Sequence, residues 1–370
     1  MIRVLIVDDT ATTRQFLVKL LTQGGQIEVV GQASNGQAAI EMTRELKPDV
    51  ITMDIVMPNM DGVETTARIM QVTPTPIVIL SSLEDIRIRA LSMNALNSGA
   101  LAVLAMPRPD NPDISALASH LRETVSAMAK VKSVRLEKQK QKSSQTASPA
   151  KAAATTKAAA NSTLKALLEN HDPVQIVTVA CSVGGPAALA KFLGQLPANL
   201  PVPILVTQHI SRGFTEDLAG WLNQGAALEV KVAKDFEIVT PGRVYIAPDD
   251  HHLGLHDKTH IKTSNTPPIK GFRPAATFMF ESVARVYKSG ATAVILTGMG
   301  DDGLAGMKIH KELGGIIIAQ DEDSCIVYGM PKAVVNAGLA DLVLPLDTIA
   351  NNLLALVQES QGNGTHKMSS

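Results

Sequence analysis

Short runs of apolar residues alternate with segments of helical spacing along most of the chain, and this alternation restricts the fold more than any other feature. Buried strands separated by helices form parallel sheets with helices on both faces. The sequence therefore predicts the α/β class, with two doubly wound parallel-sheet domains. The predicted strands lie at 2–7, 29–33, 50–53, 77–80 and 101–104, then at 176–180, 204–208, 244–247, 293–297 and 316–319.

A basic, polar segment separates the two predicted domains. Between Lys130 and Lys165 there are nine Lys or Arg residues and one acid, Glu137, so the net charge of the segment is +8. The segment has no aromatic residue and little to bury, which is typical of a flexible linker. We predict domains at 1–128 and 173–357, a flexible Lys/Ala/Ser/Thr-rich linker at 129–172 and a disordered tail at 358–370.

The composition argues against several classes of protein. Two cysteines, Cys181 and Cys325, are too few for a disulfide framework and favour a reducing compartment, so we expect a cytoplasmic protein. No apolar stretch approaches the ~20 residues needed to cross a bilayer, and membrane insertion is not expected. The basic segment lacks the aromatic side chains that stack on bases, so we expect no nucleic-acid partner.

Acids and hydroxyls follow three strands of the first predicted domain. Asp8 and Asp9 follow the first strand, Asp54 the third and Ser81 the fourth. The carboxyl ends of parallel strands meet at one edge of a sheet, and clustered carboxylates favour a hard cation such as Mg²⁺. Asp54 could then attack a phosphoryl group. Asp and Ser are also common as loop and helix caps, and spacing alone leaves both interpretations open.

The residues around these acids resemble a response-regulator receiver domain over residues 2–125. The matching strings are VDD at 7–9, MDIVMPNMDG at 53–62 and Ser81. The resemblance implies that Asp54 accepts a phosphoryl group from a chemotaxis histidine kinase and that Ser81 is the switch residue.

The same resemblance implies a metal site for phosphorylation. Mg²⁺ would be held by Asp9, Asp54 and the Val56 carbonyl, with Asp8 assisting through water. The sequence departs from the family after the fifth strand, where Met106 stands in place of the usual Lys before proline. Methionine cannot supply the cation that pairs with a phosphorylated aspartate.

Ser182 begins a second candidate site. It follows the first strand of the second predicted domain and precedes Gly184, Gly185 and Pro186. Glycines let backbone N–H groups approach a ligand and proline suits the first helical position, so we expect Ser182 at a helix N-terminus that can stabilise an oxyanion. A Gly-rich turn with an incidental capping serine explains the same residues. The string at 180–184 only approximates the G-x-S-x-G elbow.

A nucleophilic serine needs a base and a carboxylate that orients the base. His209 ends the strand at 204–208, and Asp301 and Asp302 follow the strand at 293–297. Three strand ends can converge on one site. Their joint position favours a Ser–His–Asp triad over an ordinary loop histidine and a turn aspartate.

Two other groups are rejected as sites. The string DDHH at 249–252 contains metal-ligand types, but adjacent residues on an extended loop point apart. Cys181 neighbours Ser182, but successive side chains of a strand face opposite sides, so we expect Cys181 to pack as a small hydrophobe.

The second domain resembles the CheB methylesterase domain in blocks that span essentially its whole length in order. The resemblance implies a triad of Ser182, His209 and Asp302, no catalytic role for Asp301 and no cofactor for the esterase reaction. Val183 replaces the family's usual Thr. The matching strings are SVGGP at 182–186, QH at 208–209, GFT at 213–215, PGRVYIAP at 241–248, FRP at 272–274, LTGMGDDG at 296–303, AQDE at 319–322 and GMPK at 329–332.

Together the two resemblances imply a protein-glutamate methylesterase that also deamidates glutamines and is regulated by phosphorylation. Its partners would be the cytoplasmic domain of methyl-accepting chemoreceptors and a chemotaxis histidine kinase, and we expect a monomer. The alternative is a non-catalytic adaptor that binds a kinase or a receptor through its receiver domain. Release of methanol from methylated receptor distinguishes the two.

Overall fold

The computed structural model describes residues 1–82, 85–111, 114–144, 164–167 and 171–364. The chain divides into two compact units, Met1–Thr146 and Ala147–Ser370. Much of the predicted linker, and the end of the predicted tail, lie outside the described residues. None of the helices in the described ranges is both long enough and apolar enough to span a bilayer.

Five strands of the first unit form one parallel sheet. They are β1 Ile2–Val7, β2 Ile27–Ala33, β3 Val50–Asp54, β4 Ile77–Ser81 and β5 Ala102–Ala105. The order across the sheet is β2-β1-β3-β4-β5, with every pairing parallel. Because β1 and β3 are neighbours, the loops that carry the predicted acids leave the sheet side by side. The helices of this unit are Ala11–Thr22, Gly36–Leu46, Gly62–Val72, Ile86–Asn97 and Ile114–Ser144.

The inner strands of this sheet, β1, β3 and β4, are mostly buried along their length, whereas the edge strand β2 is partly exposed. Leu5, Ile51 and Ile79, from three neighbouring strands, are fully buried. Such strands carry continuous apolar runs instead of the alternation of a half-exposed sheet. This is why short apolar runs predict them from sequence.

Seven strands of the second unit form a larger parallel sheet. They are β6 Ile176–Cys181, β7 Ile204–Gln208, β8 Glu229–Val232, β9 Arg243–Ile246, β12 Ala291–Ile295, β13 Ile316–Gln320 and β14 Leu342–Leu344. An antiparallel hairpin, β10 His252–Leu255 and β11 Ile261–Ser264, lies outside this sheet. The helices of this unit are Gly185–Leu193, Thr215–Gly225, Ala276–Tyr287, Leu304–Glu312, Met330–Asn336 and Leu346–Gly364.

The order of the larger sheet is β14-β13-β12-β6-β7-β9-β8, with all pairings parallel. From β6 the chain forms β7 and then the edge strand β8, returns to place β9 between these two, and finally adds β12, β13 and β14 on the other side of β6. The strand order therefore reverses between β6 and β12. Ligand sites of open parallel sheets form at such a switch point, outside the carboxyl ends of the strands.

The prediction of two doubly wound parallel sheets is confirmed, and each predicted strand overlaps an observed one. Strands β8 and β14 and the hairpin were not predicted. Strand β8 has the sequence EVKV and lies at the sheet edge, where alternating charges replace a continuous apolar run. Strand β14 has only three residues and lies at the opposite edge.

Two helices extend into segments predicted to lack structure. The helix Ile114–Ser144 enters the predicted linker, and Leu346–Gly364 enters the predicted tail. The extension into the predicted linker is rich in Lys and Gln, residue types with good helix propensity, whereas the extension into the predicted tail contains Gly362 and Gly364, which favour a helix less. The domain boundaries themselves remain predictions.

Candidate active site

Ser182 lies directly after β6, in the turn that leads into the helix Gly185–Leu193. Its N–H donates to the Thr297 carbonyl at 3.0 Å, and its own carbonyl accepts from the Gly185 N–H at 2.8 Å. Gly184 has φ +77°, a left-handed conformation that favours glycine, and a proline occupies the first helical turn. The turn therefore holds Ser182 immediately before a helix N-terminus.

His209 and Asp302 form a direct contact at the same edge of the sheet. His209 follows β7, Asp302 lies in the loop after β12, and both strands neighbour β6. The His209 Nε2 atom is 2.9 Å from Asp302 Oδ2. The imidazole also stacks on Phe272, with ring centroids 4.2 Å apart and planes 9° apart. Three strand ends thus bring the predicted triad residues to one edge of the sheet.

The serine and the imidazole are not hydrogen-bonded to each other in this conformation. Within the part of the chain that the structure describes, His209 Nδ1 is buried and makes no hydrogen bond. The Nε2 atom carries the hydrogen, because the carboxylate it faces can only accept. In the neutral imidazole, Nδ1 therefore has a free lone pair, and a general base accepts a proton on such an atom.

Asp302 is 1% exposed and accepts several hydrogen bonds besides that of His209. Its carboxylate accepts from the N–H groups of Ala276 at 2.7 Å, Thr277 at 3.1 Å and Gly303 at 2.8 Å. Burial raises the pKa of the Asp302 carboxyl. The hydrogen bond and charge of His209, together with the bonds from Ala276 and Thr277, lower it by more than burial raises it. The pKa of Asp302 therefore lies below its ordinary value. Asp302 is therefore ionised at neutral pH.

The neighbouring Asp301 faces a different residue. Its Oδ2 atom pairs with Lys270 Nζ at 2.6 Å, and both side chains are about half exposed, at 51% and 56%. Asp301 and Asp302 thus differ in both burial and partner. Only Asp302 contacts the imidazole.

The side chains of the DDHH string at 249–252 have separate partners in the surrounding loops. Asp250 pairs with Arg273, and His252 is fully buried and accepts a hydrogen bond from the Ala275 N–H at 3.1 Å. No group of three or more His, Cys, Asp or Glu side chains in the described ranges is arranged to hold a metal ion. These residues support the loops around the site.

Cys181 is fully buried, and burial raises the pKa of its thiol well above the ordinary value. Its Sγ atom lies 3.0 Å from Gln208 Oε1 and donates to it. A thiol that is buried and protonated is a poor nucleophile. This agrees with the expectation that Cys181 packs as a small hydrophobe.

In the first unit, Asp8 and Asp9 follow β1 and Asp54 ends the neighbouring β3. Burial, the charge of Asp8 and, to a smaller extent, the charge of Asp9 raise the pKa of Asp54 to about 7. Hydrogen bonds from the N–H groups of Ile55 and Val56 lower this pKa but do not offset the increase. Burial likewise raises the pKa of Asp8. The cluster therefore has more negative charge than its surroundings compensate.

This donor set fits a hard cation. Carboxylate and carbonyl oxygens are the ligands that Mg²⁺ prefers, and a divalent ion would stabilise the ionised form of Asp54, which burial and the charge of Asp8 disfavour. No three acidic side chains in the described ranges are arranged to hold an ion by themselves, so a cation bound here would need backbone oxygen and water as further ligands. Magnesium typically keeps several waters in protein sites.

Ser81 and Met106 lie together at the carboxyl ends of β4 and β5. Ser81 is fully buried, its Oγ atom is 2.7 Å from Ser92 Oγ, and its carbonyl accepts from the Met106 N–H at 2.8 Å. Arg108 Nη2 is 3.3 Å from Ser82 Oγ. The residue beside Ser81 is thus Met106, whose side chain has no charge, and the nearby Arg108 contacts Ser82, the next residue along the chain.

Three contacts of the site were not predicted from the sequence. Gln208 and Phe272 occur in the quoted strings but not as functional residues, and the helix N–H groups that bind Asp302 went unrecognised. Phe272 is 63 residues from His209, so no local pattern connects them. The one available signal is that Gln208, a polar residue, ends an otherwise apolar strand directly before the candidate base.

Comparisons with known proteins agree with both units. A family model described as CheB methylesterase matches residues 177–353, and one described as response regulator receiver domain matches residues 4–110. Protein-glutamate methylesterase/protein-glutamine glutaminase 4 of Myxococcus xanthus is 45% identical over 362 residues, which is 98% of each chain. A similarly named protein of Anaeromyxobacter dehalogenans is 46% identical over 355 residues, 95% of this chain and 98% of its own.

A solved structure, the Thermotoga maritima CheB methylesterase catalytic domain, is 45% identical, covers 50% of this chain and 99% of its own, and has a TM-score of 0.49. The two full-length relatives decide the assignment. They match the receiver part and the methylesterase part in the same order, over 95% or more of this chain. The chain therefore belongs to the CheB family, in which a response-regulator receiver domain precedes a methylesterase domain.

Proposed function

We propose that Ser182, His209 and Asp302 are the catalytic triad of a protein-glutamate methylesterase that also deamidates glutamines. The observation that carries the proposal is the 2.9 Å contact between His209 Nε2 and buried Asp302, at the sheet edge where Ser182 lies in the turn before the helix Gly185–Leu193. The printed names of the full-length relatives support the substrate. Both reactions are acyl transfers, so one triad serves both.

The proposed reaction begins with attack of Ser182 Oγ on the carbonyl carbon of the glutamate methyl ester. The Ser182 proton moves to His209 Nδ1, since Nε2–H donates to Asp302. The imidazolium then gives this proton to the leaving methoxy group, and methanol departs. Water attacks the acyl-enzyme by the same route, restoring Ser182 and leaving a glutamate carboxylate. With a glutamine substrate, ammonia is the leaving group.

The oxyanion of the tetrahedral intermediate needs hydrogen-bond donors. Within the described residues, the N–H groups of Val183 and Gly184 make no hydrogen bond. Both belong to the turn between the nucleophile and the helix Gly185–Leu193. We assign them as oxyanion donors, a role that the replacement of Thr by Val183 leaves intact because it uses the backbone.

The proposed substrate is the methylated cytoplasmic domain of a chemoreceptor, reached from the cytoplasm by a monomeric enzyme. The direct test is release of methanol from methylated receptor membranes on addition of the protein, with and without a phosphodonor. An enzyme releases methanol in proportion to time and protein. The adaptor alternative predicts binding to receptor or kinase without methanol release.

In the receiver unit we propose that a chemotaxis histidine kinase phosphorylates Asp54 and that this activates the esterase. Asp9, Asp54 and the Val56 carbonyl would hold Mg²⁺, with Asp8 assisting through water and Ser81 as the switch. A bound Mg²⁺ supplies positive charge that neutralises the phosphoryl oxygens. The raised pKa of Asp54, about 7, supports a cation requirement at this cluster.

The replacement Met106→Lys is expected to increase activation by acetyl phosphate about tenfold. A charge-assisted hydrogen bond to the phosphoryl group contributes roughly 1.5–3 kcal/mol, and Met106 cannot form it. Shifting the equilibrium between the inactive and active conformations from 1:99 to 99:1 needs ~5.5 kcal/mol. Without one cationic partner, phosphorylation of the natural protein therefore shifts this equilibrium only in part. The measurement is esterase rate with and without acetyl phosphate for both proteins.

Asp54→Ala is the control for this comparison, since it removes the phosphorylation site and should abolish activation in either background. Strong activation of the natural protein that Met106→Lys does not increase would contradict the prediction. That result would identify Arg108, which contacts Ser82 at the same edge, as the substitute cation.

A further inference from the structure

Gln208 is a buried amide that contacts the residues carrying both the nucleophile and the base. It is the last residue of β7 and is 3% exposed. Its Nε2 atom donates to the Ser182 carbonyl at 2.9 Å and to the His209 carbonyl at 2.6 Å. One side-chain amide therefore joins the backbone of the nucleophile to that of the base.

The surroundings fix the orientation of this amide. Its Oε1 atom accepts from Cys181 Sγ at 3.0 Å, while both groups near Nε2 are carbonyls that can only accept. A Cβ atom at Gly185 would lie 2.0 Å from Gln208 Oε1, so the absence of a side chain there leaves the space that the amide fills. Cys181 and Gly185 thus form a cradle for one rotamer of Gln208.

The position of the amide matters because the backbone ladder ends at this point. The last bond between the two strand ends runs from the His209 N–H to the Cys181 carbonyl at 3.0 Å. Beyond it, the chain turns into separate loops. Past this last backbone bond, the Gln208 side chain still links the two chain segments, because it bonds to the carbonyls of Ser182 and His209.

We infer that Gln208 is a positioning residue for the triad: it sets the separation between Ser182 and His209 across which the proton must pass. The inference rests on the proposed function of these two residues. His209 Nδ1, the proposed proton acceptor, makes no hydrogen bond in the described structure, so its approach to Ser182 depends on the backbone that holds it. Misplacement of a catalytic group by ~1 Å can cost about 10²-fold in rate.

The first test replaces Gln208 by methionine, which has similar length but cannot donate. The expected result is a loss of kcat by about 10- to 100-fold with KM changed by less than about twofold, because the amide touches the catalytic backbone and not the substrate. Thr207→Val is the matched control. Thr207 precedes Gln208 on the same strand, is fully buried and contacts Met279 Sδ at 3.3 Å. This control should keep kcat within about twofold.

A second variant, Gln208→Glu, separates positioning from general support of the fold. A neutral Glu has the same shape and can donate one hydrogen bond to the carbonyls, whereas an ionised Glu donates none and repels both. Its activity relative to the natural protein should therefore be highest at acidic pH and fall by about tenfold or more as pH rises. The Gln208→Met variant should show a ratio that does not depend on pH.

The inference is overturned if Gln208→Met retains kcat within about twofold, or if Gln208→Glu loses activity by the same factor at every pH. A loss of kcat equal to that of Thr207→Val would also overturn it, because both would then report a weakened strand. If Gln208→Met does not fold, the pH profile of Gln208→Glu decides. If the Ser182→Ala variant is as active as the natural protein, the proposed triad itself is refuted. That result is distinct from each of the outcomes above.

Discussion

Ser182→Ala is expected to lower the rate of methanol release from methylated receptor by about 10⁴- to 10⁶-fold, with the fold unchanged. The substitution removes a single oxygen atom from a turn whose backbone contacts do not involve the side chain. Loss of one triad member removes most of the catalytic effect, since the three residues act as a unit. Methanol release measures the rate, and thermal unfolding measures the fold.

The companion variant His209→Ala should have nearly the same effect on the rate. Residual activity of more than a few per cent in Ser182→Ala would contradict the assignment. The nucleophile would then have to be a water molecule or Cys181, although the raised pKa of that buried thiol argues against the latter.

Asp302→Asn is expected to slow the reaction by about 10⁴-fold, whereas Asp301→Asn should change the rate by no more than a few fold. Asp302 is the residue bonded to the imidazole, at 2.9 Å, and its carboxylate fixes which nitrogen carries the hydrogen. An amide at this position can present its own N–H to Nε2, which would leave the hydrogen on Nδ1, the atom that must accept the Ser182 proton. Asp301 instead forms an exposed ion pair with Lys270.

The two variants are compared in one assay, with the substrate concentration varied so that kcat and KM are separated. Asp301→Asn is the matched control, because it makes the same chemical change one residue away. A larger loss of kcat at Asp301 than at Asp302 would reverse the two assignments.

The sequence predicted those parts of the fold that are encoded over short distances. The central strands are covered on both faces, so their apolar runs are continuous and easily recognised, as at β1 and β6. Edge strand β8 alternates charge with apolar residues, and its position depends on its partner β9. The pairing of β8 with β9 cannot be predicted from the local sequence of either strand.

The candidate site divides in the same way. Ser182, His209 and Asp302 each follow an apolar strand, so their local positions are visible in sequence, and their meeting follows from the parallel sheet. The contacts that refine the site are between distant residues. Phe272 stacks on His209, and Gln208 bonds to the Ser182 carbonyl across 26 positions of sequence. Such contacts arise from tertiary packing and have no local pattern.

The carboxylate of Asp302 also binds the first N–H groups of the helix Ala276–Tyr287, at Ala276 and Thr277. These groups have no partner within a helix, and an anion at a helix N-terminus stabilises it. Under the proposed triad, Asp302 serves both the reaction and the fold, whereas the Ser182 hydroxyl serves the reaction alone. A descendant of this protein that abandoned catalysis but kept the domain as a binding module would be free to lose Ser182 first. Asp302 would persist longest, so its presence in a relative is poor evidence that the relative is still an enzyme.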